Sequence, residues 1–231
     1  MRYGQIEKAS FIARPNRFIA QVFMDGETVT AHVKNTGRCR ELLTPGAQVW
    51  LEHSDAPGRK TQWSLVAVQK GSLLINMDSQ APNKAAGEWL RSPAMALPGF
   101  QGPARTVRPE YKWGDSRFDF YLENDSQKAL VEVKGVTLEL EGKTFFPDAP
   151  TQRGVKHLEE LGRAAKEGYL CYALFVIQME GIGSFSPNRL THPEFGRAME
   201  QARDSGVSLL AYSCKVTPQS MELDRPVPVI L

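Results

Sequence analysis

The chain has 231 residues, 42% of them apolar and 23% charged, enough for one large or two small domains with real cores. A net charge of +2 does not by itself announce a nucleic-acid partner. The longest apolar stretches, such as Leu170–Ile177, fall far short of the ~20 residues that span a bilayer, so no membrane segment is expected. "MRYGQIEKAS" lacks the apolar core of a signal peptide. Cys39, Cys171 and Cys214 lie far apart with no CxxC pair, which predicts buried free thiols in a reducing cytoplasm and no structural zinc site. Residues 1–82 carry ten Lys/Arg against seven Asp/Glu, and the remainder eighteen against nineteen, so the first part is mildly basic.

In chain order, the first third reads as short strands. Residues 16–24 and 27–35 flank Asp25-Gly26, a strong hairpin signal, and 47–53, 61–69 and 72–77 follow, each bounded by Gly, Pro or Asn. Five or so strands without an intervening helix predict a small β-barrel, OB-like by preference, although an SH3-like order fits nearly as well. The composition shifts near residue 82. Ser79 is a candidate N-cap for a helix carrying Ala85, Trp89 and Leu90 on its apolar side.

Three strand-like runs follow at 104–113, 116–124 and 129–140. Residues 151–168 form an amphipathic helical pattern with Val155, Leu158, Leu161 and Ala165 on the buried stripe. A strand buried on both faces (170–178), a helix (192–206) and a last strand (207–217) complete an α-β-β-β-α-β-α-β order. The expected fold is an OB-like barrel over 1–82 and an α/β domain over 83–231.

The chemistry lies in two neighbouring strands. In "SRFDFYL", period two puts Phe118, Phe120 and Leu122 on one face and Arg117, Asp119 and Tyr121 on the other. In "ALVEVKGVTL", Val131 and Val133 share a face, leaving Glu132 and Lys134 side by side on the opposite one. The turn-like "ENDSQK" between the runs predicts an antiparallel hairpin with Asp119 near Glu132, thirteen residues apart. Glu110, ending the preceding strand, is a candidate third carboxylate. Either run alone is an ordinary solvated strand face. Together, the carboxylates suit a hard divalent cation, Mg²⁺ or Mn²⁺, that polarises a phosphodiester and acidifies a bound water. Lys134 is a compact charge suited to orienting that water or offsetting phosphate charge.

Asp119 followed by Glu132-x-Lys134 resembles the PD-(D/E)xK pattern of restriction endonucleases and many repair nucleases, with Phe118 standing where that motif has proline. More closely, "NTGRCRELLTPGAQVWL", "EYKWGDSRFDFYL", "VEVKGVTL" and "FFPDAPTQRGVKHLEEL" resemble the sugar fermentation stimulation protein family over about residues 10–225. The resemblance implies an N-terminal OB-like domain, a C-terminal PD-(D/E)xK restriction-endonuclease-like domain, DNA binding, a metal-dependent DNA or RNA nuclease activity, and an association with sugar-utilisation genes. Carried over, the metal-binding acids fall on Asp119, Glu132 and Glu110, and the catalytic lysine on Lys134.

Asp148 precedes the 151–168 helix and either caps it or adds a carboxylate to the site. Gln152, Arg153, Lys156 and His157 are candidates to contact phosphate or position water. In the first domain, Lys34, Arg38 and Arg40 form a basic loop, and Phe18, Phe23, Trp50 and Trp63 are either stacking rings or core. With Arg117, these cations are the expected nucleic-acid contacts. The alternative is a non-specific DNA-binding regulator with a silent site, although no helix-turn-helix is evident. Partners are DNA and/or RNA, and the oligomeric state is open, a homodimer included.

Overall fold

The computed structural model describes residues 1–231 except Thr36 and Arg38. Strands β1 (Ile6–Asn16), β2 (Ile19–Met24), β3 (Glu27–Val33), β4 (Gln48–His53), β5 (Trp63–Lys70) and β6 (Leu73–Asn76) form one sheet in the order β3-β2-β1-β4-β5-β6. A parallel pairing of Ala31–Val33 with Trp63–Leu65 joins β3 to β5 and closes five strands into an OB barrel. Phe11, Ala20, Val22, Ala31, Val49, Leu51, Leu65 and Val68 are buried in its core. Asp25 and Gly26 both take positive φ, 52° and 89°, as the expected tight hairpin requires.

Strand β1 has no counterpart among the expected elements. Only Ala9 and Phe11 within it are buried, and register shifts follow Phe11 and Ala13, so its period-two signal is too short to read. Strand β2 starts three residues later than expected because Asn16 Oδ1 accepts the N–H groups of Phe18 (2.9 Å) and Ile19 (3.1 Å), making a turn.

The second part contains α1 (Ala81–Leu90), β7 (Thr106–Trp113), β8 (Ser116–Glu123), β9 (Lys128–Val136), β10 (Leu138–Leu140), β11 (Lys143–Phe146), α2 (Gln152–Lys166), β12 (Leu170–Ile177), β13 (Ser184–Pro187), α3 (Pro193–Asp204), β14 (Val207–Thr217) and β15 (Ser220–Val227). Its main sheet runs β15-β14-β12-β9-β8-β7, with β9, β12 and β14 parallel and the others antiparallel to their neighbours. Helix α1 covers one face with Ala85, Ala86, Trp89 and Leu90; α2 and α3 cover the other with Leu158, Leu161, Phe195 and Met199. The expected helix–strand order holds, with β11, β13 and β15 added, but the expected 129–140 strand divides into β9 and β10. Short β10, β11 and β13, of three or four residues each, form a separate sheet.

Two expected caps are corrected. The N-cap of α1 is Gln80 without a side-chain bond, and Ser79 Oγ instead donates to the Lys34 carbonyl. Thr151 caps α2 by accepting Gly154 N–H at 3.1 Å, so Asp148 does not. The units also interleave at their boundary. Met1 pairs its ammonium with Met221 O and Glu88, placing the extreme N-terminus on the second sheet. All three cysteines are buried and unpaired.

Phe175 is fully buried in β12, stacked on Phe185 at 4.3 Å and edge-on to Phe195 at 6.4 Å. Phe175→Ala is expected to lower stability by about 3–5 kcal/mol in urea unfolding, through lost contacts and the residual cavity.

Candidate active site

The site begins where two strands part. The β8–β9 ladder runs from Glu123↔Lys128 to Phe120↔Val131 and stops. Beyond it, Val133 N–H donates at 2.7 Å to the side chain of Asp119, Oδ2, instead of to a β8 carbonyl. The other edge of β9 stays fully paired with β12, including Ala173↔Glu132 and Phe175↔Lys134. The active segment is therefore firmly held on one edge and open on the other.

The second Asp119 oxygen accepts Asn83 Nδ2 of α1 at 2.6 Å. Gly135 permits this approach: a Cβ there would lie 2.7 Å from Pro82 Cγ and 2.6 Å from Gln178 Oε1. With no side chain at that position, the first turn of α1 reaches β9, and Asn83 follows Pro82 to Asp119.

Glu132 is 3% exposed and faces α2. Its Oε1 takes both the Lys134 ammonium and His157 Nδ1. Its Oε2 is buried without any hydrogen-bond partner among the described residues. Arg153 Nε donates to His157 Nε2 at 3.4 Å, so Nδ1 is the ring nitrogen turned to Glu132.

Burial and then the neighbouring Glu132 charge push the Asp119 carboxyl up to about 6, against the Val133 N–H, Lys134 and Asn83. Burial also works to raise Glu132, but the His157 hydrogen bond and the Lys134 charge outweigh it and hold that group below the usual range. Of the two carboxylates, Glu132 is the one kept ionised.

The alternation expected along β8 breaks at Asp119. Phe120 and Leu122 join the core beneath α1, whereas Phe118 packs with Tyr121 on the α2 side, its ring 6.1 Å from that of His157. Across the β7–β8 ladder, the residue between the pairs Pro109↔Phe120 and Tyr111↔Phe118 is Glu110, in the left-handed region at φ 53°. A non-glycine residue there costs of order 1–3 kcal/mol, so the surrounding ladder imposes it. Glu110 is exposed at the rim, 3.6 Å from exposed Arg117, and does not join Asp119 and Glu132.

The other expected residues divide. His157 belongs to the buried cluster rather than to a solvated helix face, while Arg153 is exposed beside it. Gln152 is tied to Glu194 of α3 at 3.0 Å, and Lys156 reaches the Asp115 carbonyl at 3.4 Å. Lys34 is not a free phosphate contact. Its ammonium is held by Glu52 at 2.9 Å and fully buried Asp78 at 3.2 Å, bracing the barrel against the chain entering α1. Arg40 is exposed, and Arg38 lies outside the described residues. Asp148 is exposed and lines a cleft with Asn35 and Gly135. Asn83 is a site residue that sequence reasoning misses, since no spacing ties it to Asp119. His157 carries a usable signal: it stands four residues before Leu161 of the apolar stripe, on the same side of the helix.

Comparison with known proteins fits this architecture. A family profile described as the sugar fermentation stimulation protein RE domain matches residues 80–220, and one described as the SfsA N-terminal OB domain matches residues 12–77. The chain belongs to the sugar fermentation stimulation protein family. It is 51% identical over 222 residues to a sugar fermentation stimulation protein homolog of Desulfitobacterium hafniense, covering 96% of this chain and 95% of that one. A homolog of the same description from Clostridium beijerinckii is 49% identical over 231 residues, covering both chains fully. Among solved structures, SfsA of Pyrococcus furiosus in complex with Ca²⁺ superposes with a TM-score of 0.88 at 24% identity, covering 100% of this chain and 98% of that one. No helix among the described residues is long and apolar enough to cross a membrane.

Among the described residues, no three His, Cys, Asp or Glu side chains converge on one point as a metal cage. Two carboxylates with water completing the shell is nonetheless how Mg²⁺ is commonly held. The bare, buried Oε2 of Glu132 beside Asp119 fits such a cation.

In metal-free protein, the raised Asp119 value has a stability consequence. The folded state holds the proton to about 6 and the unfolded chain only to its ordinary 3.8. Asp119 thus stabilises the fold below that window, and its contribution is lost as pH rises from about 4 to 6. In urea titrations with EDTA, wild type should lose up to ~3 kcal/mol relative to Asp119→Asn between pH 4 and pH 7.

Proposed function

We propose that the protein is a divalent-metal-dependent nuclease that hydrolyses phosphodiesters of DNA or RNA. The observation that carries this reading is the orphaned Glu132 Oε2, set beside Asp119 and Lys134 where the sheet opens. Glu132 Oε2 and the Asp119 carboxylate would hold Mg²⁺ or Mn²⁺, whose chemistry there is to polarise the phosphodiester and acidify water. The Pyrococcus relative is in complex with Ca²⁺, which supports an oxygen-seeking cation in this family.

Lys134, released from Glu132 or shared with it, sets a positive charge against the phosphate and orients the attacking water. Water oxygen bonds to phosphorus, one P–O ester bond breaks, and a proton from the water ends on the leaving alcohol. His157 is a positioning residue: by donating to Oε1 it leaves Oε2 turned to the cation. Glu110 and Arg117 form the rim and, with Arg153, face the nucleic acid rather than the cation. Buried, unpaired thiols support a cytoplasmic location.

Labelled single-stranded DNA, duplex DNA and RNA, incubated with Mg²⁺, Mn²⁺ or EDTA, should be cut only with metal. Lys134→Ala should cut at least about 100-fold more slowly. Equal cutting by the variant would mean a contaminating nuclease. No cutting despite salt-sensitive binding would favour the DNA-binding regulator.

His157→Gln should weaken Mn²⁺ binding about 10–100-fold in calorimetric titration, with thermal unfolding used to confirm a folded variant. Unchanged affinity would remove His157 from the site.

A further inference from the structure

The OB barrel carries a feature that the nuclease site does not use. The β1–β2 connection consists of Arg17 and Phe18. Phe18 is pinned through its backbone, its N–H donating to Asn16 Oδ1 at 2.9 Å and its carbonyl accepting Val33 N–H at 2.7 Å. Its ring is nevertheless 50% exposed, with the Arg17 guanidinium 5.8 Å from the ring centroid. An aromatic ring held in place on a fixed backbone, and left facing solvent beside a cation, is a stacking platform that costs little ordering to use.

Beside it lies a cavity of about 490 Å³ lined by Arg14, Asn16, Arg17, Arg40, Leu43 and Ala149. Arg14 fixes its wall, donating to the carbonyls of Asn35, Gly37 and Arg17 at 2.6–2.7 Å. Arg17 and Arg40 enter no ion pair among the described residues. The volume is within the ~300–1,000 Å³ of sites that enclose a small ligand, here one nucleotide.

A second, narrower cleft of about 120 Å³ adjoins it in the chain: Gly37 and Ala149 line the first, while Asn35 and Asp148 line the second, which also touches Gly135, the residue after Lys134. The two clefts thus share two loops, and the narrower one abuts the end of β9.

We propose that Phe18, Arg17 and Arg40 form a subsite for a single-stranded nucleic-acid segment, which passes from there toward Glu132 of β9 and Asp119 of β8. The proposal deepens the nuclease reading and rests on it for the direction of the path. Single-stranded substrate follows from Phe18: base faces inside a duplex are already stacked, whereas a lone strand offers one to the ring. The arginines take the flanking phosphates. Asp148 lines the narrow cleft, where its carboxylate accepts from a base and repels phosphate toward the arginine side.

The test is fluorescence anisotropy with a labelled oligo-dT strand and a hairpin duplex, in EDTA so that nothing is cut, over a range of salt. Phe18→Ala should bind the single strand about tenfold more weakly or worse, and leave duplex affinity unchanged. Phe18→Trp should restore binding. Arg17→Ala with Arg40→Ala should flatten the salt dependence of single-strand binding by about one to two phosphate contacts. Thermal melts confirm that these surface variants are folded. Phe18→Ala binding the single strand as tightly as wild type overturns the subsite, and so does equal weakening toward the duplex. Because binding is read without metal, failure of cleavage and failure of this subsite are separate results.

Discussion

A single hydrogen bond sets the geometry of the site: Val133 N–H to Asp119 Oδ2. Within a sheet, each backbone N–H must find an acceptor, and a neighbouring strand normally provides it. Here a side chain takes that part, so β8 is free to leave β9 just where Glu132 and Lys134 occur. Had the ladder continued, the next pair in register would have been Asp119 opposite Glu132, two acids pressed together on a closed sheet. Parting the strands relieves that repulsion, and the uninterrupted β9–β12 pairing keeps β9 in place. The broken alternation at Phe118 and the left-handed Glu110 are the adjustments that β8 and β7 make on the far side of the same gap.

The two helices enter the site by their N-terminal halves. Asn83 lies near the start of α1 and His157 in the second turn of α2, one bound to each carboxylate. The barrel meets the second domain on the same side, through Lys34 bridging Glu52 and Asp78 just before α1. Asp78 in turn accepts Gln80 N–H at 2.9 Å, and Gln178 at the end of β12 donates to the Asn76 and Asp78 carbonyls. Barrel, α1 and the parallel strands are thus joined by one buried polar network. Leaving any member unpaired would cost the desolvation of the rest. The orientation of the barrel to the site is fixed by these bonds, not by a loose linker.

How much of this is legible in the sequence follows from the kind of interaction involved. The barrel, both long helices and the central strands carry strong periodicity, and the glycine of the β2–β3 turn announces itself. The Asp119–Glu132 proximity is legible because the hairpin register alone sets the two opposite each other, even though period two fails in β8 at Asp119. Strand β1 is hidden by its bulges, and β15 by a burial pattern with only Met221 and Val227 inside. Asn83 is invisible, since its place depends on Gly135 admitting Pro82, a contact between residues some fifty positions apart. Lys34 and Gln152 look like free polar groups in sequence, and only the fold brings their partners to them. Asp148 loses the cap to Thr151, whose hydroxyl stands three residues before Gly154 as the geometry of an N-cap requires.

The charges at the centre explain why one oxygen stays bare and one carboxyl holds its proton. Asp119, Glu132 and Lys134 carry one positive charge against two potential negative ones. Lys134 and His157 both crowd onto Glu132 Oε1, so Oε2 is left without a partner among the described residues, and Asp119, buried beside the Glu132 charge, binds a proton more tightly. The orphaned oxygen follows from where the donors sit, and the raised carboxyl from its burial first and the Glu132 charge second. With that proton in place the three side chains sum to zero, and without it to minus one. The rim pair Glu110–Arg117 is neutral in sum and does not alter this count. Ionising both carboxyls thus leaves the cluster one positive charge short, and the bare oxygen lies where that shortfall is felt.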